Sequence, residues 1–352
     1  MTTAASIAAE DVVIVDAGAL VRTIVDALVA NGASPTDATT QAEILAEGDL
    51  RGHHSHGVRR LPVLVNRLKK GLIATDAQPV WEWRTDSVLE VDGRRGFGPS
   101  VAFASIDKII ERAASTGIAV VTISNSNHVG MLAPYIERIT AAGQVAFGFT
   151  TSEALVHPWG SARALVGTNP IGIGVPNGDE PLVLDMSTAS VSMGKILEHA
   201  ARGEAIPLGW AVDVEGNQTT DAAAAAQGGA ISPFGGPKGY GLGIALEAVV
   251  GLLTRSSFGI AVHGTLDSDR VATKGDVFIA VSLERLGLTG SLPGMREYFD
   301  EVRASGPNAG DVTVPGDRAR ATRARRLRDG VPLHVGSWQQ ALVLGKGGAV
   351  SE

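Results

Sequence analysis

The stretch GRRGFGPSVA, residues 93–102, decides the fold. It follows SVLEVDG (87–93), which alternates like a strand, and it opens PSVAFASIDKIIERAASTG (99–117), which reads as a helix with a glycine stop. Gly96 and Gly98 therefore stand where the phosphate-binding turn of a dinucleotide fold would begin. The rest of that fingerprint is missing. Val101 and Ala102 occupy the positions where further glycine spacing is needed, and the next strand, AVVTIS (119–124), ends at Ser124-Asn125 with no acidic residue to hold a ribose hydroxyl. A doubly wound Rossmann sheet is disfavoured, and the stretch reads as a plain glycine turn.

On its N-terminal side, VDAGALVRTIVDALVANG (15–32) carries apolar residues at three- and four-residue spacing and stops at Asn31-Gly32. Ser34-Pro35-Thr36 opens a second helix, and RLPVLVNRLKKG (60–71) reads as a third that ends at Gly71. On its C-terminal side, MLAPYIERITAAG (131–143) is a helix and QVAFGFTT (144–151) a strand, so the core is mixed α/β. Residues 1–10 read as a flexible end, and the low-complexity DAAAAAQGGAIS (221–232) as a surface connection.

A chain of 352 residues with 44% hydrophobic content can bury more than one core. Its apolar runs, such as IALEAVVGLL (244–253), fall short of the roughly 18 residues of a membrane span, and the N-terminus lacks a basic region followed by an apolar run, so a cytoplasmic location is expected. The absence of cysteine leaves only His and carboxylate as metal ligands. A net charge of −7 argues against general nucleic-acid affinity, and RARATRARRLR (318–328) is expected to be mostly a solvated helical face.

The densest chemistry lies in RGHHSHGVRR (51–60), between two helices, where His53, His54 and His56 are flanked by arginines. Such a cluster suits a metal site, an acid/base centre, an anion clamp or a solvated helix end. Four further stretches, SNSNHVG (124–130), GTNPIGIGVP (167–176), LDMSTASVSMGK (184–195) and PFGGPKGYGLGIALE (233–247), combine glycine with polar groups beside apolar elements. Together they favour an anionic cofactor held by backbone amides.

HSHGVRRLP (54–62), SNHVG (126–130), GTNP (167–170), LDMSTASVSMGK, GGPKGYGL (235–242) and VPGDR (314–318), in that order, resemble the malate/L-lactate dehydrogenase family, over about residues 12–345. This family is distinct from the Rossmann-fold lactate and malate dehydrogenases. The resemblance implies an α/β fold with a mixed, largely antiparallel sheet in the cofactor domain, beside a helical domain. It implies a helical and substrate or dimerisation region over 11–117 and 285–352, and an NAD(P)-binding domain over 118–284. It implies a homodimer that uses NAD or NADP, without a metal, to interconvert a small 2-hydroxy acid and its 2-oxo acid. No nucleic-acid or membrane partner is expected.

By the same resemblance, His56 and His128 are the acid/base candidates, with Ser55 beside the first, and either can be the proton donor. Arg60 lies where the substrate carboxylate is expected, but the additional arginine of RRLP (59–62) leaves the partner open between Arg59 and Arg60. HPWGS (157–161) also departs from the pattern, with Ser161 where a second glycine is common. Cofactor contacts fall on Ser152, on Asp185, Met186 and Ser187, on Lys238 and Gly239, and on Gly316, Asp317 and Arg318. His53 and His54 are expected to be structural. Members that reduce a cyclic imine, piperideine-carboxylate, keep that reaction as the alternative. A metal hydrolase built on His53 and His56, and a nucleic-acid-binding module built on the arginine run, are the rivals from other classes.

The chemistry of the residues supports the resemblance. Hydride transfer to a ketone carbon leaves negative charge on oxygen, which a histidine can protonate near neutral pH. An arginine can hold the neighbouring carboxylate through two parallel hydrogen bonds.

Overall fold

A computed structural model describes residues 12–348, so the flexible end expected over residues 1–10 lies outside the described residues. At its centre is a seven-stranded sheet in the order β2 (Val80–Trp83), β3 (Val88–Asp92), β4 (Ile118–Ser124), β13 (Asp276–Ser282), β5 (Gln144–Thr150), β8 (Ile171–Val175) and β9 (Leu182–Met186). Only β3 and β4 run parallel; the other five pairs are antiparallel. Helices α4 (Gly98–Thr116) and α5 (Ala133–Ala141) close one face, where Ile106, Ile109, Ile136 and Tyr135 pack on Leu89, Val121, Ile123 and Phe278. This is the mixed, largely antiparallel arrangement expected, not a doubly wound sheet.

The turn over residues 93–98 shows why no phosphate belongs there. A Cβ at Gly98 would lie 2.3 Å from the Asn127 carbonyl oxygen and 2.4 Å from that of His128. Asn127 Nδ2 donates to the carbonyls of Arg95 (2.7 Å) and Gly96 (3.0 Å). The N-terminus of α4 is thus sealed by the loop that carries His128, and the glycines serve that close approach.

A second sheet of five short strands, β11 (Gln218–Thr219), β10 (Ala211–Val212), β12 (Ala230–Ile231), β6 (Ala154–Val156) and β7 (Val166–Gly167), packs with α6 (Met193–Arg202) and α7 (Ala222–Ala226) around Val156, Ile196, Ile206 and Ile231. The segment 221–232 is therefore no surface connection. Asp221 caps α7 through the Ala223 and Ala224 amides, Ala222 and Ala225 are buried, and β12 pairs with β6. A run of alanines looks featureless in sequence yet fits where a core leaves room only for methyl groups.

The helical unit comprises α1 (Ala17–Ala30), α2 (Pro35–Leu50), α3 (Leu61–Lys69) and α11 (Val335–Gly345) around Leu20, Ile24, Leu45, Leu61 and Val65, beside the two-stranded sheet of β1 (Val12–Val15) and β14 (Val331–His334). Ser34 caps α2 at the Asp37 amide, as Ser34-Pro35 predicts. The remaining helices are α8 (Pro237–Thr254), α9 (Leu292–Ala304) and α10 (Asp317–Asp329), and among the described residues no helix is long and apolar enough to cross a membrane.

The arginine run forms α10, which buries none of its residues, and three of its arginines are held by partners. Arg320 donates to the Pro181 carbonyl, Arg323 pairs with Glu47, and Arg326 donates to the Asp49 carbonyl. Helical spacing of three residues puts these three side chains on one face, where the end of α2 supplies the partners of Arg323 and Arg326 and the chain before β9 that of Arg320.

Candidate functional site

The histidine cluster forms two 3-10 turns, His54–His56 and Val58–Arg60, wedged between α2 and α3. Asp49, 1% exposed in the last turn of α2, organises them. One oxygen accepts the Val58 amide (2.7 Å) and the other meets His54 Nδ1 (2.8 Å), while His54 Nε2 lies 3.3 Å from Arg326. Gly57 is required because a Cβ there would fall within 2.3 Å of the Asp49 carboxylate. His54 is thus the structural member. His53 is exposed and its ring makes no hydrogen bond among the described residues, so the structural role expected for it has no support.

His56 instead stacks on His128, with ring centroids 5.9 Å apart and planes 8° from parallel. The Gly130 amide donates to His128 Nδ1 (3.2 Å), which places the proton of the neutral ring on Nε2. His56 Nδ1 is buried with no partner among the described residues. Burial, followed by the Arg60 guanidinium and His53, pushes His56 down to about 4. His128 is held well below the usual histidine range by burial, then Arg60, His56, Lys274 and Arg67. Both rings are therefore neutral at pH 7, and both residues are half-buried.

This has a measurable consequence for stability. The unfolded chain takes up a proton on histidine near 6.5, whereas folded His56 does so only near 4, so acidification across that window favours unfolding. Asp185 acts with the opposite sign, because burial raises its folded carboxyl to about 6. His56→Ala should flatten the fall of Tm between pH 6.5 and 4 relative to the unsubstituted protein. A slope unchanged by the substitution would mean that His56 titrates as it does in water.

The Arg60 side chain makes no hydrogen bond or ion pair among the described residues, and burial pulls its guanidinium down to about 10. It is a desolvated cation next to the two histidines without a fixed partner. Arg59, 46% exposed, points to Glu198 at 4.0 Å. Of the two arginines, only Arg60 exerts its charge on both rings. Ser55 lies beside α6, where a Cβ on Gly194 would sit 3.6 Å from its own Cβ.

Several neighbours carry no signal in sequence. Arg67 is fully buried on α3, seven residues after Arg60 and hence on the same helix face. Its guanidinium donates to Asn127 Oδ1 (2.9 Å) and to the carbonyls of Asp267 (2.9 Å) and Arg270 (3.0 Å), tying the His128 loop to the segment 263–273. Lys274 and Asp276, 0% and 1% exposed, form a closed ion pair whose cation acts on His128. Glu153 accepts three successive amides, from Thr265 and Leu266 (both 2.9 Å) and Asp267 (3.3 Å), and its charge reaches Arg60. Only Asn127, inside SNSNHVG, lay in a stretch that sequence alone marks.

The cofactor candidates fall into connected groups. Ser152, just past β5, accepts the Thr168 amide (2.8 Å), and Thr188 donates from its amide to the Thr168 carbonyl (2.8 Å). Phe234 in turn donates to the Thr188 carbonyl (3.0 Å), so the stretches around Ser152, GTNP, LDMS and GGPKG share one neighbourhood. Ser187 donates to the Ala189 carbonyl (3.3 Å), and Met186 ends β9. Asp185 Oδ2 accepts the Ala133 amide at the start of α5 (2.8 Å). Lys238 is exposed in the first turn of α8 and has no partner among the described residues. Gly239 is required by its own loop, since a Cβ would lie 1.9 Å from the Phe234 carbonyl oxygen.

The VPGD loop joins β9, with Val183 donating to the Pro315 carbonyl (3.0 Å). Gly316 precedes α10 at φ 103°, and Asp317 is clamped by Arg303 at 2.9 and 3.0 Å, which holds its carboxyl below the usual range. Arg318 is exposed, and its charge reaches His53. An open cavity of about 740 Å³ between α2, α5 and α10 is bounded by Arg51, Pro134, Glu137, Pro181, Arg320 and Arg323. Among the described residues no three His, Asp or Glu side chains converge as a metal-ligand set.

Residues 15–341 match the sequence model of a family described as malate/L-lactate dehydrogenase. A malate/(S)-sulfolactate dehydrogenase of Methanothermus fervidus is 37% identical over 88% of this chain and 91% of its own. A Δ1-pyrroline-2-carboxylate/Δ1-piperideine-2-carboxylate reductase of Pseudomonas syringae is 31% identical over 87% of this chain and 88% of its own. The crystal structure of a dehydrogenase from Sinorhizobium meliloti superposes with a TM-score of 0.90 at 43% identity, covering 95% of this chain and 98% of that one.

Proposed function

Because the chain belongs to the malate/L-lactate dehydrogenase family, we propose that this oxidoreductase interconverts a 2-oxo acid and its 2-hydroxy acid with NAD or NADP, using His56 and His128 for proton transfer and Arg60 for the substrate carboxylate. The observation that carries this is the stacked pair of neutral histidines under the charge of a half-buried guanidinium that has no partner among the described residues. Arg60 takes the carboxylate through two parallel hydrogen bonds and so fixes which face of the carbonyl is presented. The same carboxylate offsets the Arg60 charge, which depresses both histidines, and thereby lifts them toward the range where they hold and release a proton at pH 7. In the direction of reduction, a histidine that has taken up a second proton gives its Nε2 proton to the carbonyl oxygen and returns to the neutral ring; in oxidation the neutral ring takes that proton from the hydroxyl.

The bound nicotinamide supplies or accepts the hydride. The residues present suit such a dinucleotide. The first-turn amides of α8 and the unpaired Lys238 form an anion site of the kind a phosphate takes. The neighbourhood of Ser152, Ser187 and Thr188 leads from there toward β9, Asp185 and the loop of Gly316, Asp317 and Arg318. A single-turnover panel of 2-oxo acids and piperideine-2-carboxylate against NADH and NADPH tests the proposal, and a folded protein that binds neither nucleotide refutes it. Lys238→Ala should weaken nucleotide binding about tenfold while leaving turnover at saturation nearly unchanged. An unaltered dissociation constant would remove Lys238 from the site.

The cyclic-imine alternative uses the same groups, with the proton going to nitrogen, and the 31% identical reductase supports keeping it. The homodimer and the division into a cofactor domain over 118–284 and a second region over 11–117 and 285–352 belong to the same proposal. Ile244, Val249, Leu252 and Leu253 leave α8 with an exposed apolar face, which a subunit contact would cover.

A further inference from the structure

Glu247 lies on the inner face of α8 and is 5% exposed, yet it forms no ion pair among the described residues. Its carboxylate is surrounded by donors instead. Oε2 accepts the Gly167 amide (3.0 Å) and Asn169 Nδ2 (2.8 Å), and Oε1 accepts the Gly259 amide. A charge buried in this way costs stability unless hydrogen bonds replace its water. Three N–H groups from two separate segments do so here, which fixes those segments to α8.

The Asn169 side chain passes this constraint on. Asn169 is fully buried, and its Nδ2 also donates to the Gly243 carbonyl (3.1 Å), one helical turn before Glu247. With both acceptors on the nitrogen side, Oδ1 faces the other way, where it accepts the Ser152 amide (3.3 Å). Ser152 Oγ in turn accepts the Thr168 amide (2.8 Å) and lies 3.0 Å from Thr168 Oγ1. The turn has no slack. A Cβ on Gly167 would fall 2.3 Å from Asn169 Oδ1 and 2.5 Å from the Ser152 carbonyl oxygen, and one on Gly243 would fall 2.9 Å from Thr188 Oγ1. Glu247, Asn169 and Ser152 thus join the helix that carries Lys238 in its first turn to the stretches around Ser152 and GTNP.

We propose that Glu247 is a positioning residue for the nicotinamide nucleotide: acting through Asn169, it holds Ser152 and the Thr168 turn at a fixed separation from the Lys238 end of α8. A nucleotide that spans these two elements meets groups already in place, so less of its binding free energy is lost in ordering them. Asn169 sits at a backbone φ of 27°, a conformation that side-chain-bearing residues rarely adopt, and the Glu247 carboxylate with the Gly243 carbonyl holds its amide there. Without the carboxylate the Asn169 amide can rotate, and the Ser152 amide loses its acceptor. The inference rests on the oxidoreductase proposal above, which sets the nucleotide along Ser152 and α8; the family resemblance assigns no role to Glu247 or Asn169.

The test measures the Kd of NADH and of NADPH by fluorescence titration, together with Tm and turnover at saturating nucleotide, in the unsubstituted protein, Glu247→Gln, Asn169→Gly and the double variant. Glutamine keeps the size of the side chain but sets an NH2 against one of the N–H donors. Glycine at 169 keeps the backbone conformation and removes only the side chain. Each single variant should weaken the more tightly bound nucleotide about tenfold, the scale of one buried donor left unsatisfied, with turnover at saturation nearly unchanged. Because Glu247 acts through Asn169, the double variant should bind about as well as either single one. A Kd unmoved in the single variants, whatever happens to Tm, overturns the inference, and so do losses that add in full. If Glu247→Gln fails to fold, Asn169→Gly decides: an unmoved Kd overturns the inference, and a weaker Kd at unchanged turnover supports it. A folded unsubstituted protein that binds neither nucleotide overturns the oxidoreductase proposal itself, whereas nucleotide bound equally by all the proteins ends only the role of Glu247.

Discussion

His128→Ala should lower turnover by about 10²–10⁴-fold, the usual contribution of general acid/base catalysis, with His56→Ala losing less. The Gly130 amide on Nδ1 fixes the tautomer and orientation of the His128 ring and leaves Nε2 as the nitrogen able to exchange a proton. His56 has no such tautomer lock, its Nδ1 being buried and unpartnered among the described residues. Its stacking contact instead supports the His128 ring from one side. Arg60→Ala should chiefly raise the Michaelis constant for the acid and leave nucleotide binding nearly intact, since Arg60 is assigned to the carboxylate alone. Steady-state kinetics with fluorescence titration of the nucleotide separates these effects. Near-normal turnover in both histidine variants would end the acid/base assignment.

Lys274→Met should destabilise the fold by about 3–5 kcal/mol, the range found when one partner of a buried ion pair is removed and the other charge is stranded. Asp276, 1% exposed and interior to the central sheet between β4 and β5, has its ion pair with Lys274. The double variant Lys274→Met/Asp276→Leu should recover most of that loss, because paired apolar groups of similar size replace the ions without a stranded charge. Urea unfolding of the two variants gives the comparison. Loss of the Lys274 cation should also move His128 toward higher pH, against the remaining fields of Arg60, Arg67 and the neighbouring His56, which an imidazole NMR titration would follow. A single variant as stable as the unsubstituted protein would mean that the pair is hydrated.

Which parts of this protein could be read in advance follows from how far each signal reaches along the chain. The helices α1 to α5 and the strands β3, β4 and β5 were legible because their apolar periodicity, the Ser34 cap and the glycine stops act within a few residues. The failure of GRRGFG as a dinucleotide turn was legible too, though the reason for its glycines was not: the surface that Gly98 must approach is the backbone of Asn127 and His128, nearly thirty residues later. Alanine-rich 221–232 misled, because a methyl-sized core position and a featureless linker have the same composition.

At the site, the sequence by itself determined the family and marked the two histidines, the pair Arg59 and Arg60 with the partner left open between them, and the polar stretches suited to a cofactor, since these rest on local motifs. Only the tertiary structure separated His54, bound to Asp49 and Arg326, from His56, stacked on His128. It alone showed Arg60 exerting its charge on both rings while Arg59 points to Glu198. It alone tied Glu153 and Arg67 to one segment, 265–270, and brought the Lys274 charge to bear on His128, from elements that are about ninety and more than a hundred residues apart. Electrostatic fields and desolvation depend on distance in space and on what surrounds a charge, and neither is written in the spacing of residues along the chain.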